Sequence, residues 1–174
     1  MISIEDARAI ASKDLRSDMA LSEPGDHREG WFFTYVAVHS GVKVGFGGVI
    51  VNKHTGKLKA IDSAYPARRQ LELYDLGYQF ERYDLVIVAI RDFDATSKAL
   101  GELSLQLVET TYENGEVWRI PRLMTSAEIA RPLMQLPCIF PSQSLRLHAL
   151  EVLESARATR WFEFEALECR VRLA

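Results

Sequence analysis

The stretch Trp31–Ile61, WFFTYVAVHSGVKVGFGGVIVNKHTGKLKAI, decides the fold of the first part of this chain. Residues 31–38 form an aromatic strand, and residues 42–51 predict a second strand that glycines interrupt. The segment 52–56 is typical of a hairpin turn that ends in glycine, and a third strand follows over residues 58–62. The stretch therefore predicts a small antiparallel sheet.

Apolar side chains occupy both faces of the first strand, which predicts that both faces are covered. One face carries Trp31, Phe33, Tyr35 and Ala37. The other face carries Phe32, Val36 and Val38. We expect this second face to be covered by the second half of the chain, by another subunit in a homodimer, or by a different partner protein.

A helix is predicted on each side of this sheet in the sequence. Ser3 and Asp6 are spaced as a helix-capping pair at the start of the chain, and the polar segment 22–30 is expected to be a loop. Pro66 opens a short helix that Gly77 ends. The order αβββα predicts a first domain over residues 1–77.

The second half starts with an apolar strand over residues 85–90. We expect Asp94 to cap the helix that follows, with Leu100, Leu103 and Leu107 on one face. The remaining predicted elements are a turn at Asn114–Gly115, a strand over 116–120, a helix opened by the capping box of Thr125 and Glu128, an irregular segment over 137–141, a helix over 145–156 and a strand over 161–167. The fold class is α+β: a small antiparallel sheet with an N-terminal helix, followed by a second α+β unit over residues 78–174.

Composition narrows the class of protein. The 174 residues carry a net charge of −3 with a pI near 5.8, whereas dedicated nucleic-acid-binding domains are usually basic. No apolar run reaches the roughly 20 residues that span a bilayer, and the N-terminus lacks a secretory signal pattern, so we expect a cytoplasmic protein without a membrane partner. Residues 1–82 carry 11 basic and 11 acidic residues, and residues 83–174 carry 10 and 13, so the excess charge lies in the second half.

Few residues suggest catalysis. His27, His39, His54 and His148 lack the spacing of metal ligands, and Cys138 and Cys169 form no CxxC pair. Cys138 lies in an apolar, proline-bounded segment, which is typical of a buried thiol and not of a reactive one. The glycines of residues 45–48 lie within a strand pattern, so they indicate a bulge or a close backbone approach and not a phosphate loop. We expect no catalytic residues, no cofactor and no metal.

Acidic residues and tryptophans are the remaining candidates for a functional surface. An acidic surface can complement a basic partner and steer association, and an ordinary solvated face is the alternative. Tryptophan is enriched in binding hot spots but also fills cores, and a core position is the more common role for any one of Trp31, Trp118 and Trp161. The acidic residues considered are Asp84, Asp92, Asp94, Glu109, Glu113, Glu116, Glu163 and Glu165.

Residues 1–77 resemble the Imm35 (YrhB-like) family of bacterial immunity proteins. The resemblance is carried by the leading helix ISIEDARAIASKDL, the aromatic strand WFFTYV, the glycine-rich strand leading into GGVIVNKHTGKL, and the helix that begins at Pro66 and contains Tyr74. Residues 78–174 resemble no family. The resemblance implies a non-catalytic protein that binds a cognate polymorphic toxin and neutralises it by protein–protein contact.

The toxin-binding residues expected on this basis are Asp92, Asp94, Glu109, Glu113, Glu116, Trp118, Trp161, Glu163 and Glu165. Two alternatives from other classes stay open at the level of sequence. One is a small enzyme whose site is assembled from scattered acids and histidines. The other is a chaperone-like or structural binding module.

Overall fold

The structure is a computed structural model that describes residues 1–169. The described residues form five helices and ten strands, and every strand pairing is antiparallel. The predicted α+β class is therefore confirmed. The chain divides into two compact units, one over Met1–Gln79 and one that begins at Phe80. No helix in the described part of the chain is both long enough and apolar enough to cross a membrane.

The first unit is a sheet with one helix on each face. Its elements are α1 (Ile4–Ser12), β1 (Met19–Leu21), β2 (Gly25–Asp26), β3 (Gly30–Ala37), β4 (Lys43–Asn52), β5 (Leu58–Ile61) and α2 (Ala67–Asp75). The strand order is β1-β3-β4-β5, and β2 also pairs with β3. The expectation of a loop over 22–30 is wrong for Gly25 and Asp26, because these two residues pair with Phe32 and Trp31.

Helix α1 covers one face of this sheet. Ser3 caps the helix as predicted, since its hydroxyl accepts a hydrogen bond from the Asp6 backbone N–H at 3.1 Å. Ala7 and Ala11 are buried against the side chains of Phe33 and neighbouring strand residues. Small alanines let the helix approach the sheet closely enough to bury this aromatic ring completely.

Helix α2 covers the opposite face. Leu71 and Tyr74 of α2 pack with Ile50 and Ile61 of the sheet, and Phe32 packs against the same cluster. The three coverings expected for this face are therefore wrong for Phe32, because a helix of the same unit covers it. Burial of the Tyr74 ring raises the pKa of its hydroxyl. Val38, at the far end of the face, stays 53% exposed.

The glycines of β4 serve backbone geometry, as the sequence predicts. The pairing of β3 with β4 shifts register between Thr34 and Val36, so β4 bulges there. A Cβ on Gly48 would lie 2.2 Å from the Phe33 carbonyl oxygen, and one on Gly47 would lie 2.5 Å from the Ile61 oxygen. No side chain fits at these two positions.

The turn between β4 and β5 is tied to distant parts of the first unit. The Asn52 carboxamide accepts from two turn N–H groups at 2.9 Å and donates to Gln79 at 2.8 Å. The ammonium of buried Lys53 donates to Asp26 and lies 4.4 Å from the centre of the Trp31 ring. The polar residues of this turn thus have structural contacts inside the unit.

The second unit contains a three-stranded sheet, a separate two-stranded ribbon and three helices. Its elements are β6 (Tyr83–Ile90), α3 (Phe93–Glu102), β7 (Gln106–Glu113), β8 (Glu116–Leu123), α4 (Ser126–Leu133), β9 (Cys138–Gln143), α5 (Leu147–Thr159) and β10 (Phe162–Glu168). The sheet has the order β10-β6-β9, and β7 pairs with β8. Its largest fully buried side chains include Tyr83, Leu85, Ile87, Leu100, Phe140, Leu153 and Phe162.

Three details of the second unit correct the sequence predictions. Asp92, not Asp94, caps α3, because the Asp92 carboxylate accepts from the Ala95 N–H at 2.9 Å. Leu107 lies on strand β7 and not on the helix, which ends at Glu102. The segment 137–141, expected to be irregular, contributes to β9; this strand lies at an edge of the sheet, where a proline is tolerated.

Candidate protein-binding site

Strands β7 and β8 form a two-stranded ribbon, and among residues 1–169 neither strand pairs with any other. The ribbon turns at Asn114 and Gly115, whose φ angles of 51° and 81° are both positive. Two positive φ angles in a two-residue loop are the geometry of a type I′ hairpin turn, which Asn-Gly favours. The turn sets the register, in which Glu113 lies opposite Glu116.

Large apolar side chains lie exposed along the ribbon. The exposed fraction is 50% for Trp118, 52% for Ile120, 56% for Val117 and 78% for Tyr112. Successive residues of a strand point to opposite faces, so neighbours such as Val117 and Trp118 leave both faces of the ribbon apolar and open. A two-stranded ribbon is only marginally stable without a covering layer. Clustered apolar exposure of this kind is typical of an interaction surface.

The register sorts the ribbon side chains onto two faces. Trp118 lies opposite Thr111, and Ile120 lies opposite Glu109. We term the face that they share the tryptophan face; its members are Leu107, Glu109, Thr111, Glu113, Glu116, Trp118, Ile120 and Arg122. Four of the residues predicted to contact a toxin lie on this face: Glu109, Glu113, Glu116 and Trp118.

The tip of the tryptophan face is acidic. Glu113 and Glu116 are directly opposite each other, and neither forms an ion pair with any residue in the described part of the chain. Like charges that face each other across two strands repel. Glu109 differs, because it accepts a hydrogen bond from Arg122. The tip therefore carries two uncompensated negative charges close to the exposed ring of Trp118.

Two polar contacts hold the base of the ribbon. Gln143, only 2% exposed, accepts from the Gln106 N–H at 2.7 Å and donates to the Gln106 carbonyl oxygen at 2.9 Å. Arg122 donates to Glu109 and, through two nitrogens, to Glu128 at the start of α4. The base is thus fixed to β9 and α4. At the tip, within residues 1–169, β7 and β8 pair only with each other.

The carboxylate of Glu128 belongs to a dense hydrogen-bond network. It completes the predicted capping box, because it accepts from the Thr125 N–H and hydroxyl. The Arg122 guanidinium, followed by the two Thr125 donors, lowers the pKa of Glu128 to about 2. The Glu128 carboxylate, followed by that of Glu109, raises the pKa of Arg122. This pair stays charged throughout the physiological range.

A groove of about 710 Å³ borders the base of the ribbon. The ribbon contributes Leu107, Val108 and Pro121 to its lining, and the edge strand β9 contributes Ile139 and Pro141. Ile139 is 57% exposed. The groove therefore extends the exposed apolar surface from the ribbon to the edge of the three-stranded sheet.

The other five residues predicted to contact a toxin lie outside the ribbon, at the start of α3 or along β10. They are Asp92, Asp94, Trp161, Glu163 and Glu165. Asp92 is engaged as a helix cap, and Glu163 accepts a hydrogen bond from Arg91 at 2.6 Å. The nine predicted residues thus divide into two groups on different elements.

The tryptophans depart from the common core role. Trp118 is half exposed on the ribbon, and Trp161 is 36% exposed beside β10. Trp161 lines a cleft of about 490 Å³ together with residues of α3 and α5, including His148. Trp31 is partly buried against the core of the first unit, where its indole N–H donates to the Ile2 carbonyl at 3.2 Å.

Arginines beside β10 were missed by sequence reasoning. Arg91, Arg157 and Arg160 line a further cleft of about 350 Å³ with Phe162, Glu163 and Phe164. Arg157 and Arg160 are three residues apart at the end of a helix, a spacing visible in the sequence. Arg91 joins them only because β6 pairs with β10, and local sequence carries no signal of that pairing.

The two cysteines differ in burial. Cys138 is buried as expected, and burial raises the pKa of its thiol. Cys169 is only partly buried. Across residues 1–169, no three or more His, Cys, Asp or Glu side chains are grouped so that they could hold a metal ion.

No protein-family model matches the chain, and no curated protein or solved structure matches it.

Proposed function

We propose that this protein acts by binding a partner protein through the tryptophan face of the β7–β8 ribbon, and that the partner is a bacterial toxin that it neutralises. The observation that carries the proposal is the ribbon itself, which exposes Trp118 and Ile120 on this face while its base is firmly held. An element that is fixed at its base and carries exposed apolar side chains along its length is suited to insertion into a groove of another protein.

The energetics favour contact through this face. Tryptophan and tyrosine are the residues most often found as binding anchors, because their large rings bury much apolar area with few rotatable bonds. Trp118 and Ile120 lie on the same face two residues apart along β8. Burying both against a partner would remove apolar surface from water and also supply the layer that the isolated ribbon lacks.

Charge indicates the chemistry of the partner surface. Glu113 and Glu116 repel each other at the tip, and a lysine or arginine of the partner placed between them would relieve that repulsion. An acidic tip also speeds encounter with a basic surface. The proposed partner site is therefore an apolar groove with a basic rim, as at the active site of an enzyme that acts on nucleic acids or nucleotides.

The toxin as partner is supported by the resemblance of residues 1–77 to the Imm35 family. On this proposal the protein is not an enzyme, and it works in the cytoplasm of the cell that produces the toxin. The second unit, which resembles no family, would select the toxin. The ribbon belongs to this unit and would be the selecting element.

The experiment pairs the protein with the toxin encoded beside it. Wild type is expected to form a complex with the purified toxin domain and to rescue cells that express it. The double variant Trp118→Thr/Ile120→Thr keeps strand-compatible residues but removes both anchors, so it should lose complex and rescue. Leu58→Thr is the matched control, because Leu58 is also an exposed strand residue (42%) but lies in the first unit.

Two results would count against the proposal in different ways. If wild type neither binds nor protects against the toxin, the toxin is not the partner. If the double variant binds and protects as well as wild type, the ribbon is not the contact surface. Circular dichroism of each variant separates loss of binding from loss of fold.

A further inference from the structure

The arginine-lined cleft beside β10 has the composition of an anion site. It is formed by Arg91 after β6, by Arg157 and Arg160 at the end of α5, and by residues 162–164 of β10. Within residues 1–169, β10 is an edge strand. Three arginines from two separate segments thus line one open space of about 350 Å³.

The local charge is positive although the second half of the chain is acidic. Glu163 is the one carboxylate among the lining residues, and it accepts from Arg91 at 2.6 Å. Within residues 1–169, the ion pair of Arg157 is with Glu154 at 3.2 Å. Arg160 has no ion pair with any residue of the described chain. The cleft therefore keeps an excess of positive charge that an anion can neutralise.

The side chain of Arg157 packs against the ring of Phe164. Its guanidinium carbon lies 4.9 Å from the centre of the Phe164 ring, which places the cation over the aromatic ring. A guanidinium held against a ring keeps N–H groups at its rim available to an oxyanion. Little rotamer entropy is then lost when an anion binds, because the side chain is already ordered.

The backbone of Arg160 is the second, independent observation. Arg160 follows α5 in the left-handed conformation, with φ 56° and ψ 33°. Glycine is the usual residue at such a position, because a Cβ is unfavourable there. Non-glycine residues in strained conformations cluster at functional sites. The residue in this conformation is one of those that line the cleft.

Favourable helix electrostatics explain only part of this arrangement. Basic residues at the C-terminal end of a helix complement its dipole, which accounts for the charges of Arg157 and Arg160. It does not account for Arg91, which comes from the end of β6, or for an arginine where glycine would be unstrained. Both features are explained if the cleft binds an anion.

We propose that this cleft binds the phosphate group of a soluble small molecule. Arginine matches phosphate better than any other side chain, since its planar N–H groups pair with two oxygens at once. The volume lies within the range of small-molecule sites and exceeds that of a phosphate ion, so the ligand has an organic part. The site does not depend on the proposed toxin contact, which uses the ribbon.

Titration with inorganic phosphate, followed by NMR of the arginine Nε–Hε signals, tests the proposal. Wild type should give saturable shifts for the cleft arginines at constant ionic strength. Arg160→Gly should weaken phosphate binding at least about tenfold. This variant cannot fail by misfolding through backbone strain, because glycine is favoured at that φ. Arg68→Gln removes an exposed arginine of α2 and should leave binding unchanged.

Three outcomes would overturn the proposal. One is the absence of saturable shifts in wild type. Another is equal shifts with chloride at the same ionic strength, because the shifts would then come from general salt screening of the arginine charges and not from phosphate binding. The third is unchanged phosphate affinity in Arg160→Gly. Sedimentation with vesicles of phosphatidic acid and phosphatidylcholine is a further arm; binding there that Arg160→Gly abolishes would overturn the assignment to a soluble ligand.

Discussion

Arg122 on strand β8 donates two hydrogen bonds to the carboxylate of Glu128 on helix α4, at 2.8 and 2.5 Å. Because Glu128 also caps its helix through Thr125, this pair connects the base of the ribbon to a rigid element. The ribbon has few other supports, so its direction depends on this contact.

Arg122→Gln is expected to loosen the ribbon. Loss of the guanidinium removes the link to Glu128 and the neutralisation of Glu109 together. Hydrogen exchange should show faster exchange of the β7 and β8 amides, while amides of the first unit stay as protected as in wild type. In a double-mutant cycle with Glu128→Gln, the double variant should lose less free energy of unfolding than the sum of the losses in the two single variants. Strictly additive effects would mean that the pair does not couple the two elements.

Acid should weaken the same contact. The pKa of Glu128 is lowered from 4.5 to about 2, first by Arg122 and then by Thr125. A carboxylate with a lowered folded-state pKa contributes stability that is complete above its unfolded value and is lost as the pH falls through the folded value. Urea unfolding of wild type and Glu128→Gln should therefore differ at pH 7, and the difference should shrink between about pH 4.5 and pH 2. A constant difference over this range would contradict the assignment.

Glu113→Lys should change stability and binding in opposite directions. The lysine would face Glu116, so a repulsive cross-strand pair becomes an attractive one, and the ribbon gains about 0.2–1 kcal/mol. The same change should weaken binding to a toxin with a basic rim and slow association. Urea unfolding and surface plasmon resonance measure the two effects.

Glu165→Lys is the matched control for Glu113→Lys, with the same charge change on β10. Equal loss of association in both variants would show that binding responds to overall charge, or that the predicted β10 group also contacts the toxin. Loss in Glu113→Lys alone would support the ribbon tip as the contact.

Gly48→Ala should destabilise the first unit severely. The new Cβ would lie 2.2 Å from the Phe33 carbonyl oxygen, and relief requires two paired strands to separate. We expect a loss of several kcal/mol in the free energy of unfolding, or no folded protein. Gly101→Ala, in α3 with open space around the position, should instead stabilise by about 0.5–1 kcal/mol. Chemical denaturation of both variants checks the contrast.

Local signals in the sequence predicted local structure well. The caps at Ser3 and Thr125 and the Asn114–Gly115 turn are all confirmed, because each depends on hydrogen bonds or φ angles within four residues. One local prediction failed, since Asp92 and not Asp94 caps α3, and the other failures concern long-range pairing. Leu107 fits a helical face as well as a strand, and only the pairing of β7 with β8 places it in a strand.

The candidate site was predicted in part. The sequence predicted the Asn114–Gly115 turn and the strand after it, but not strand β7, whose pairing with β8 places Glu109, Glu113, Glu116 and Trp118 on one face. The ribbon is uncovered because the other strands of the second unit pair with one another, as β10-β6-β9, and not with β7 or β8. This is a property of the whole unit. Arg91 reaches Arg157 and Arg160 for a similar reason, through a strand pairing more than seventy residues apart in sequence.

The sequence by itself determined the class of fold, the helix caps at Ser3 and Thr125, the turns and the glycine positions, because these follow from hydrogen bonds, φ angles and hydrophobic periodicity within a few residues. Only the tertiary structure decided that α2 covers Phe32, that β9 is an edge strand, that the ribbon is exposed and that three arginines share a cleft. These depend on which distant segments pack together, and that choice minimises the free energy of the whole chain and not of any one segment.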